Sequence, residues 1–321
     1  MKNYKIFKAL SVIAILLPSP LSAQAPESIM VVEAYSGKVL LASNATVKRP
    51  VASINIIGTA AVAVDWATAT GADIATTKIA VPQTVTLIGG PNPMNLQPGD
   101  QLTLRDALYS ALLGSDNLAA FSIADHVGRQ ILAQRGQNGD SIATFVGEMN
   151  QLAKALAMTQ TRFGYPHGLD RPGSRAFSTA ADIARISAYA MKRNAFNFIV
   201  RQKDRNISVA TSGGKRSFLI KNSNELVGEA GILGVKTGTS PAAGPCVSVC
   251  MDREPLVRSK PDGTKGATPR RIIVVVLNHP DRFNRARGLI REGWSIYDSW
   301  LGSGGQVLSR EQEILSMPMP L

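Results

Sequence analysis

The sequence predicts an α+β fold in which helices flank an antiparallel sheet assembled from both ends of the chain. Three observations predict it. A hairpin pattern lies near the start, four amphipathic segments fill the middle, and a series of short strands closed by one helix follows residue 206. Hydrophobic residues make up 45% of the chain and charged residues 18%, which is enough for a large buried core.

The first residues are expected to be an export signal that precedes the fold. Three lysines are followed by an apolar run from Ala9 to Leu17 and by small residues up to Ala23, so we expect cleavage after residue 23. The alternative, a membrane anchor, is disfavoured because this run is too short to cross a bilayer of roughly 30 Å. The mature protein is therefore predicted to lie in the periplasm or outside the cell, without a stable membrane anchor.

The next elements follow from turn chemistry and composition. A Ser-Gly turn between two β-rich flanks predicts a hairpin at residues 33–42. An Ala-rich apolar segment predicts a helix from Ser53 to Ala69. The many prolines and glycines of residues 71–99 indicate an extended, turn-rich chain.

The rest of the chain divides into helices and then strands. Amphipathic periodicity predicts helices at residues 104–113, 117–131, 141–157 and 178–192. Strands are predicted at 207–210, 218–221, 234–237, 247–251 and 271–277, with a polar, flexible hairpin tip at 252–269 and a last helix at 284–301. We expect one domain from 24 to 302 with a mostly helical subdomain at about 70–200, and a short tail at 303–321.

Charge and cysteine content exclude several function classes. The formal net charge is +12, which favours attraction to anionic envelope polymers or lipid headgroups. Nucleic acid is not an expected partner, because the basic residues are scattered and export would separate the two. If Cys246 and Cys250 share a strand, they lie about 13 Å apart at roughly 3.3 Å per residue. They are therefore expected to be buried thiols, not a disulfide or a metal pair.

Three short stretches carry candidate chemistry, and each also has a structural interpretation. Ser53 starts a helix, where backbone N–H groups favour an alkoxide, but most serines there are caps. The predicted turn between two helices contains Ser115, Asp116 and Asn117. Their polar side chains either point into a cleft or simply cap a helix. Lys236, Thr237, Gly238 and Thr239 lie on a predicted strand that could pair with a peptide and bind a carboxylate, or could be an ordinary strand end.

Taken together, these stretches resemble the S-x-x-K, S-x-N and K-T-G motifs of penicillin-binding proteins and serine β-lactamases. The sequence is most similar to the D-alanyl-D-alanine carboxypeptidases of peptidoglycan maturation. Further stretches that carry the resemblance are Ser36-Gly-Lys-Val-Leu, Arg49-Pro-Val-Ala-Ser, Leu96-Gln-Pro-Gly-Asp, Tyr165-Pro-His-Gly-Leu-Asp, Phe177-Ser-Thr-Ala-Ala-Asp and Gly234-Val-Lys-Thr-Gly-Thr. The resemblance implies the fold of serine β-lactamases and D,D-peptidases.

The resemblance also implies roles for individual residues. Ser53 would be the nucleophile that takes the acyl group from a stem peptide ending in D-Ala-D-Ala, or from a β-lactam. Ser115 would relay a proton, and Asn117 would bind the substrate amide. Lys236, Thr237, Gly238 and Thr239 would hold the terminal carboxylate. No metal or other cofactor is implied.

One position departs from the family pattern, because Ile56 stands where the S-x-x-K motif has a lysine. On a helix this position shares a face with Ser53, so a lysine there could act as the general base and an isoleucine cannot. Loss of a general base costs on the order of 10² to 10⁴ in rate. Lys236 is the only plausible substitute. The literal motif Ser212-Gly-Gly-Lys215 is interpreted as a hairpin turn.

Three functions therefore remain open. The preferred hypothesis is a catalytically impaired pseudoenzyme that binds stem peptides or the cell-wall machinery through the Lys236 strand. The alternative is an active serine D-Ala-D-Ala carboxypeptidase with Ser53 as nucleophile and Lys236 or another group as the base. A third possibility is an inactive relic, in which substitution of either residue would have no effect.

Overall fold

The computed structural model describes residues 26–170, 176–259 and 263–305, and within these ranges the protein has seven α-helices and two antiparallel sheets. The predicted signal and residues 306–321 of the predicted tail lie outside them. The strands are β1 Ser28–Glu33, β2 Val39–Ser43, β3 Lys78–Ala80, β4 Gln101–Thr103, β5 Asp204–Thr211, β6 Gly214–Lys221, β7 Ile232–Ser240, β8 Gly244–Ser259 and β9 Lys265–Leu277. The helices are α1 Ile56–Thr70, α2 Leu104–Leu113, α3 Asn117–Gln134, α4 Ser141–Ala155, α5 Ala180–Met191, α6 Asn194–Val200 and α7 Arg282–Gly302.

The main sheet has the order β2-β1-β9-β8-β7, so the N-terminal hairpin pairs with the C-terminal strands as the sequence predicts. β1 pairs antiparallel with β9, and β8 joins β9 to β7. β7 therefore lies at the edge of this sheet. Because β7 ends at the same side of the sheet as β9, the start of α7 lies close to the end of β7.

Both faces of the main sheet are covered, which explains the unbroken apolar run from Ile272 to Leu277. Successive side chains of a strand point to opposite faces. Ile273, Val275 and Leu277 belong to the core shared with helices α1–α6, whereas the alternating residues of β9 pack with Trp294 and the rest of α7. A strand buried on both sides needs apolar residues at every position, not at every second one.

Helix α1 runs through the centre of the helical layer, where α2, α3, α4, α5 and α6 contact it. The stretch Ala52–Thr70 is long and apolar enough to cross a membrane by length and composition alone, but 78% of it is buried inside the fold. The first nine residues of α1, Ile56 to Val64, are all buried, which suits such a core position. The long apolar run after Ser53 is therefore a core helix of this domain.

A second sheet of order β3-β4-β5-β6 was not predicted as a separate unit. Its first two strands come from the turn-rich region 71–99 and the residues just after it. They pair with the β5–β6 hairpin, whose strands therefore do not belong to the main sheet with the other C-terminal strands. Strands of three residues carry too short a pattern to be recognised without their partners.

Two further expectations are corrected. Residues 252–259 and 265–269 are not a flexible tip, because they continue β8 and β9 as a hydrogen-bonded ribbon with Leu256 opposite Thr268, whereas residues 260–262 of the predicted tip lie outside the described ranges. A ladder of backbone hydrogen bonds needs no apolar pattern, which is why polarity was misleading here. The short helix α6 was also missed. The thiols of Cys246 and Cys250 are free and buried, as predicted. The domain limits at 24 and 302 stay a prediction.

Candidate active site

Ser53 lies in a short 3₁₀ turn, Ala52–Asn55, that leads directly into α1. Its residue is 9% exposed. The cap positions of the turn and of the helix are Val51 and Asn55, and neither end has a side-chain cap. The interpretation of Ser53 as a helix cap is therefore wrong. Within the described part of the chain, the structure records no hydrogen bond to Ser53 Oγ, so this hydroxyl is not used to hold the fold.

Two glycines from other elements pack against the backbone of the Ser53 turn. A Cβ atom at Gly238 on β7 would lie 3.0 Å from the amide nitrogens of Ser53 and Ile54. A Cβ atom at Gly168 would lie 2.1 Å from the Ser53 nitrogen. Real side chains do not tolerate the shorter of these distances. The close approach of two backbones places β7 and the loop Tyr165–Asp170 on either side of the candidate nucleophile.

The loop Tyr165–Asp170 is held at both ends. Thr59 Oγ1 on α1 donates a hydrogen bond of 2.6 Å to the carbonyl oxygen of Pro166. Asp170 Oδ2 accepts a hydrogen bond of 3.1 Å from the backbone N–H of Ala242, in the turn between β7 and β8. A small cavity of about 140 Å³ beside the Ser53 turn is lined by residues that include Asn55 and Asp170. The loop thus forms one wall next to Ser53.

The second candidate stretch forms the turn between α2 and α3. Ser115 has a φ of 55°, in the left-handed region that few residues other than glycine adopt. The next residue, Asp116, caps α3 and is fully buried. Left-handed residues outside glycine cost free energy and concentrate at functional sites. This conformation directs Ser115 away from both helices and towards β7.

Lys236 on β7 meets Ser115 from the opposite wall. Its Nζ donates hydrogen bonds to Ser115 Oγ and to the carbonyl oxygen of Thr237, the latter at 3.0 Å. Lys236 is only 1% exposed, and burial, followed by the charge of Arg282, lowers the pKa of Lys236 to about 7. A protonated ammonium is thus disfavoured in this position relative to water. The structure brings the second and third candidate stretches into direct contact.

The two threonines that follow Lys236 point to different partners. Thr237 Oγ1 shares a hydrogen bond of 2.6 Å with Ser223 Oγ. Thr239 Oγ1 accepts a hydrogen bond of 2.6 Å from Arg282 Nη1, and the same nitrogen donates to the carbonyl oxygen of Gly238 at 3.0 Å. Arg282 and Thr239 therefore lie together near the end of β7, and the charge of Arg282 also acts on Lys236 in the same strand. Such a set of donors suits a carboxylate.

Arg282 was not identified from the sequence. It is the first residue of α7, and burial lowers its pKa. Nothing in the local sequence distinguishes it from the other arginines of that helix. Its place in the site follows from the fold, because β9 ends at the same side of the sheet as β7, with β8 between them, and the first turn of α7 therefore lies near the end of β7.

Asn117 is 1% exposed and is surrounded by its own chain. Its Nδ2 donates to the carbonyl oxygen of Gly89 at 3.2 Å, and its backbone N–H donates to the carbonyl oxygen of Pro91 at 2.9 Å. Asn117 Oδ1 is buried and accepts no hydrogen bond from any residue of the described ranges. A buried acceptor without a donor destabilises the folded protein by roughly 1–3 kcal/mol. The missing donor to Asn117 Oδ1 therefore needs an explanation.

Ile56, the first residue of α1, is completely buried and belongs to the main hydrophobic core. It follows Ser53 by three residues and adds no titratable group to the site. The alternative motif Ser212–Lys215 lies where β5 turns into β6, with Thr211 opposite Gly214, as predicted. It forms a hairpin turn on the second sheet. No group of three or more metal-ligating side chains occurs within residues 26–170, 176–259 and 263–305.

Comparison with known proteins gives consistent results. The family model described as D-alanyl-D-alanine carboxypeptidase matches residues 17–256. The chain is 29% identical over 278 residues to the D-alanyl-D-alanine carboxypeptidase DacC of Escherichia coli K12, with 82% of this chain and 60% of DacC covered. It is 30% identical over 166 residues to the D-alanyl-D-alanine carboxypeptidase of Streptomyces sp. K15, with 51% and 55% covered. The matches thus span less than two thirds of these relatives.

Solved structures are similar over more of their length. The crystal structure of the Streptomyces K15 DD-transpeptidase aligns with a TM-score of 0.69 at 26% identity and covers 83% of this chain and 96% of that chain. Penicillin-binding protein D2 of Listeria monocytogenes, in the ampicillin-bound form, has a TM-score of 0.62 at 23% identity, with the same coverage. At this identity the Listeria protein shows likeness of fold only. The predicted α+β fold of D,D-peptidases is confirmed.

Proposed function

The chain belongs to the D-alanyl-D-alanine carboxypeptidase family, and from this membership we propose that it is an exported protein of peptidoglycan metabolism that binds stem peptides but is catalytically impaired. The observation that carries the proposal is the buried position of Ile56, three residues after Ser53. Ser53 is held in a turn that leads into α1, but α1 provides no proton acceptor next to it. Shape can persist where chemistry is lost.

The edge strand β7 supports peptide binding. Its outer side has no strand partner in the main sheet, so an extended peptide can add to it by backbone hydrogen bonds. On β7 the hydroxyl of Thr239 contacts the guanidinium of Arg282, whose charge also acts on the amine of Lys236 in the same strand. A peptide that ends in a carboxylate would place this group among the three donors. This matches the D-Ala-D-Ala terminus of a stem peptide.

The environment of Ser53 supports the impairment. A lysine at position 56 would supply a base for Ser53 and a donor for nearby acceptors, whereas Ile56 supplies neither. The unpaired Oδ1 of Asn117 is consistent with the loss of a hydrogen-bond donor, such as the ammonium of the lysine that Ile56 replaces. The serine hydroxyl without a base is a weak nucleophile towards an amide.

A second candidate function, an active serine D-Ala-D-Ala carboxypeptidase, is favoured by one specific observation. The pKa of Lys236 is lowered to about 7, so a substantial fraction of its amine is neutral near pH 7. Ser115, which contacts Lys236, would then relay a proton to this amine. The same amine would then bind the substrate carboxylate less well, because only its charged form attracts an anion.

Labelling with a fluorescent penicillin separates these candidates. The mature chain is compared as wild type, Ser53→Ala, Ile56→Lys and the double variant Ser53→Ala with Ile56→Lys. We expect covalent labelling of Ile56→Lys alone, with none in the double variant. Strong labelling of the wild type that is lost in Ser53→Ala would overturn the proposed impairment. In that case a labelling rate that rises with pH through about 7 would identify Lys236 as the base.

Peptide binding is tested with a short peptide that ends in D-Ala-D-Ala, by calorimetry. We expect an affinity that is lost in Lys236→Ala and unchanged in Ser53→Ala. Absence of binding in the wild type would favour the inactive relic. Fractionation of cells that produce the full chain tests export, and retention of the uncleaved chain in the cytoplasm would contradict it.

A further inference from the structure

Asp116 is a fully buried carboxylate between the two helices that flank Ser115. Its Oδ1 accepts hydrogen bonds of 3.0 Å from the backbone N–H groups of Leu118 and Ala119, in the first turn of α3. Its Oδ2 accepts a hydrogen bond of 2.8 Å from Ser110 Oγ on α2. One side chain therefore joins the end of α2 to the start of α3.

The backbone of Asp116 makes a second connection across the same turn. Its N–H donates to the carbonyl oxygen of Ser110 at 3.2 Å, and the N–H of Gly114 donates to the same oxygen at 3.0 Å. Ser115 is the residue enclosed by these bonds, and its left-handed φ of 55° is the strained part of the loop. Strain of this kind persists only where the surroundings determine the conformation by more than one contact.

Nothing about helix capping alone requires so buried a carboxylate. Asp140 caps α4 with the same pair of bonds, at 2.8 and 3.1 Å, and is solvent-exposed. Burial raises the pKa of Asp116 to about 6, whereas its three hydrogen bonds lower it, and no charged residue of the described ranges is coupled to it. A carboxylate held in a costly environment points to a function in the turn it encloses.

We propose that Asp116 is a positioning residue, whose carboxylate locks Ser115 in the left-handed conformation that presents its hydroxyl to Lys236. It acts through Ser115 and does not itself contact the ligand. The part of the test that uses peptide affinity rests on the proposed function, but the part that uses structure does not.

The first test is a crystal structure of Asp116→Ala, Asp116→Asn and the control Asp140→Ala. In Asp116→Ala we expect Ser115 to leave the left-handed region and its contact with Lys236 to be lost. Asp116→Asn keeps an acceptor oxygen for Leu118 and Ala119, so Ser115 should stay in place. Asp140→Ala removes an equivalent cap and should leave Ser115 unchanged. An unchanged Ser115 in Asp116→Ala would overturn the proposal, whether or not the protein binds any peptide.

The second test is a double-mutant cycle between Asp116 and Ser115 on the affinity for a D-Ala-D-Ala peptide. We expect Asp116→Ala to weaken binding about tenfold, because Ser115 would no longer be held against Lys236. In a Ser115→Ala background the same substitution should change affinity less than about twofold. Equal effects in both backgrounds would show that Asp116 acts on stability alone. Thermal unfolding of each variant confirms that the fold is intact.

Discussion

Lys236 Nζ donates a hydrogen bond to Ser115 Oγ, across 121 residues of sequence and between the edge strand β7 and the α2–α3 turn. The donor is buried and the acceptor is a neutral hydroxyl, and burial followed by the charge of Arg282 lowers the pKa of Lys236 to about 7. Within the described ranges no carboxylate forms an ion pair with Lys236 to offset the loss of hydration. A ligand carboxylate would supply the missing countercharge.

The affinity for a peptide carboxylate is expected to fall as the pH rises above 7. Burial lowers the pKa of Lys236 to about 7, so the ammonium that attracts the carboxylate is present below this pH and is lost above it. Calorimetric titration with a D-Ala-D-Ala peptide between pH 6 and 9 measures the effect. Lys236→Met should bind weakly and without this dependence. An affinity for the wild type that rises with pH would contradict the assignment.

The protonation of Lys236 should make the folding stability rise with pH, whereas the peptide affinity falls. The pKa in the folded protein, about 7, lies below its ordinary value of 10.5, so the folded chain binds fewer protons between these pH values and gains stability as the pH rises. Lys236→Met removes the buried ammonium, and we expect a gain on the order of 1–3 kcal/mol at pH 6. Urea denaturation at pH 6 and pH 10 provides the measurement. The gain should shrink at the higher pH, and a loss of stability at pH 6 would show that the two hydrogen bonds of Lys236 outweigh its burial.

Arg282 is expected to affect both the affinity for a peptide carboxylate and the pKa of Lys236. Its positive charge lowers this pKa, so Arg282→Met is expected to raise it and to move the fall in peptide affinity to higher pH. The affinity itself should decrease about tenfold or more, because one charge-assisted donor is removed. Arg285→Met is the matched control, since Arg285 lies on the same helix and pairs with Glu27. A variant of Arg282 that keeps the wild-type pH profile would refute the coupling.

The sequence predicts the site residues that belong to a local motif. It does not predict those whose position depends on how distant strands and helices pack together. The positions of Ser53 before a core helix, of Ser115 in a turn and of Lys236 on a strand all follow from local patterns. Arg282 does not, because its place in the site depends on strand order. The second sheet was missed for the same reason, as β3 and β4 are too short to recognise without β5.

Residues whose importance lies in their lack of a side chain are the hardest to find in one sequence. Gly168 lies in the stretch Tyr165–Asp170 that carries the family resemblance, but its close contact with the Ser53 turn exists only in the folded protein. The left-handed backbone at Ser115 is similarly unpredictable, because serine rarely adopts it unless other contacts enforce it. Asp116 could be predicted as a cap, but its burial could not.

Gly168→Ala is expected to destabilise the protein and to displace the Ser53 turn. The added Cβ would lie 2.1 Å from the Ser53 nitrogen and from the carbonyl carbon of Ala52, and backbone atoms cannot move aside as a flexible side chain can. Overpacking of this kind costs roughly 1–3 kcal/mol or more. Gly147→Ala is the control, because Gly147 lies inside α4 and its Cβ would meet nothing within 4 Å. That substitution should stabilise the helix by about 0.5–1 kcal/mol. Chemical denaturation compares the two, and equal stability would mean that the loop Tyr165–Asp170 does not press on the Ser53 turn in solution.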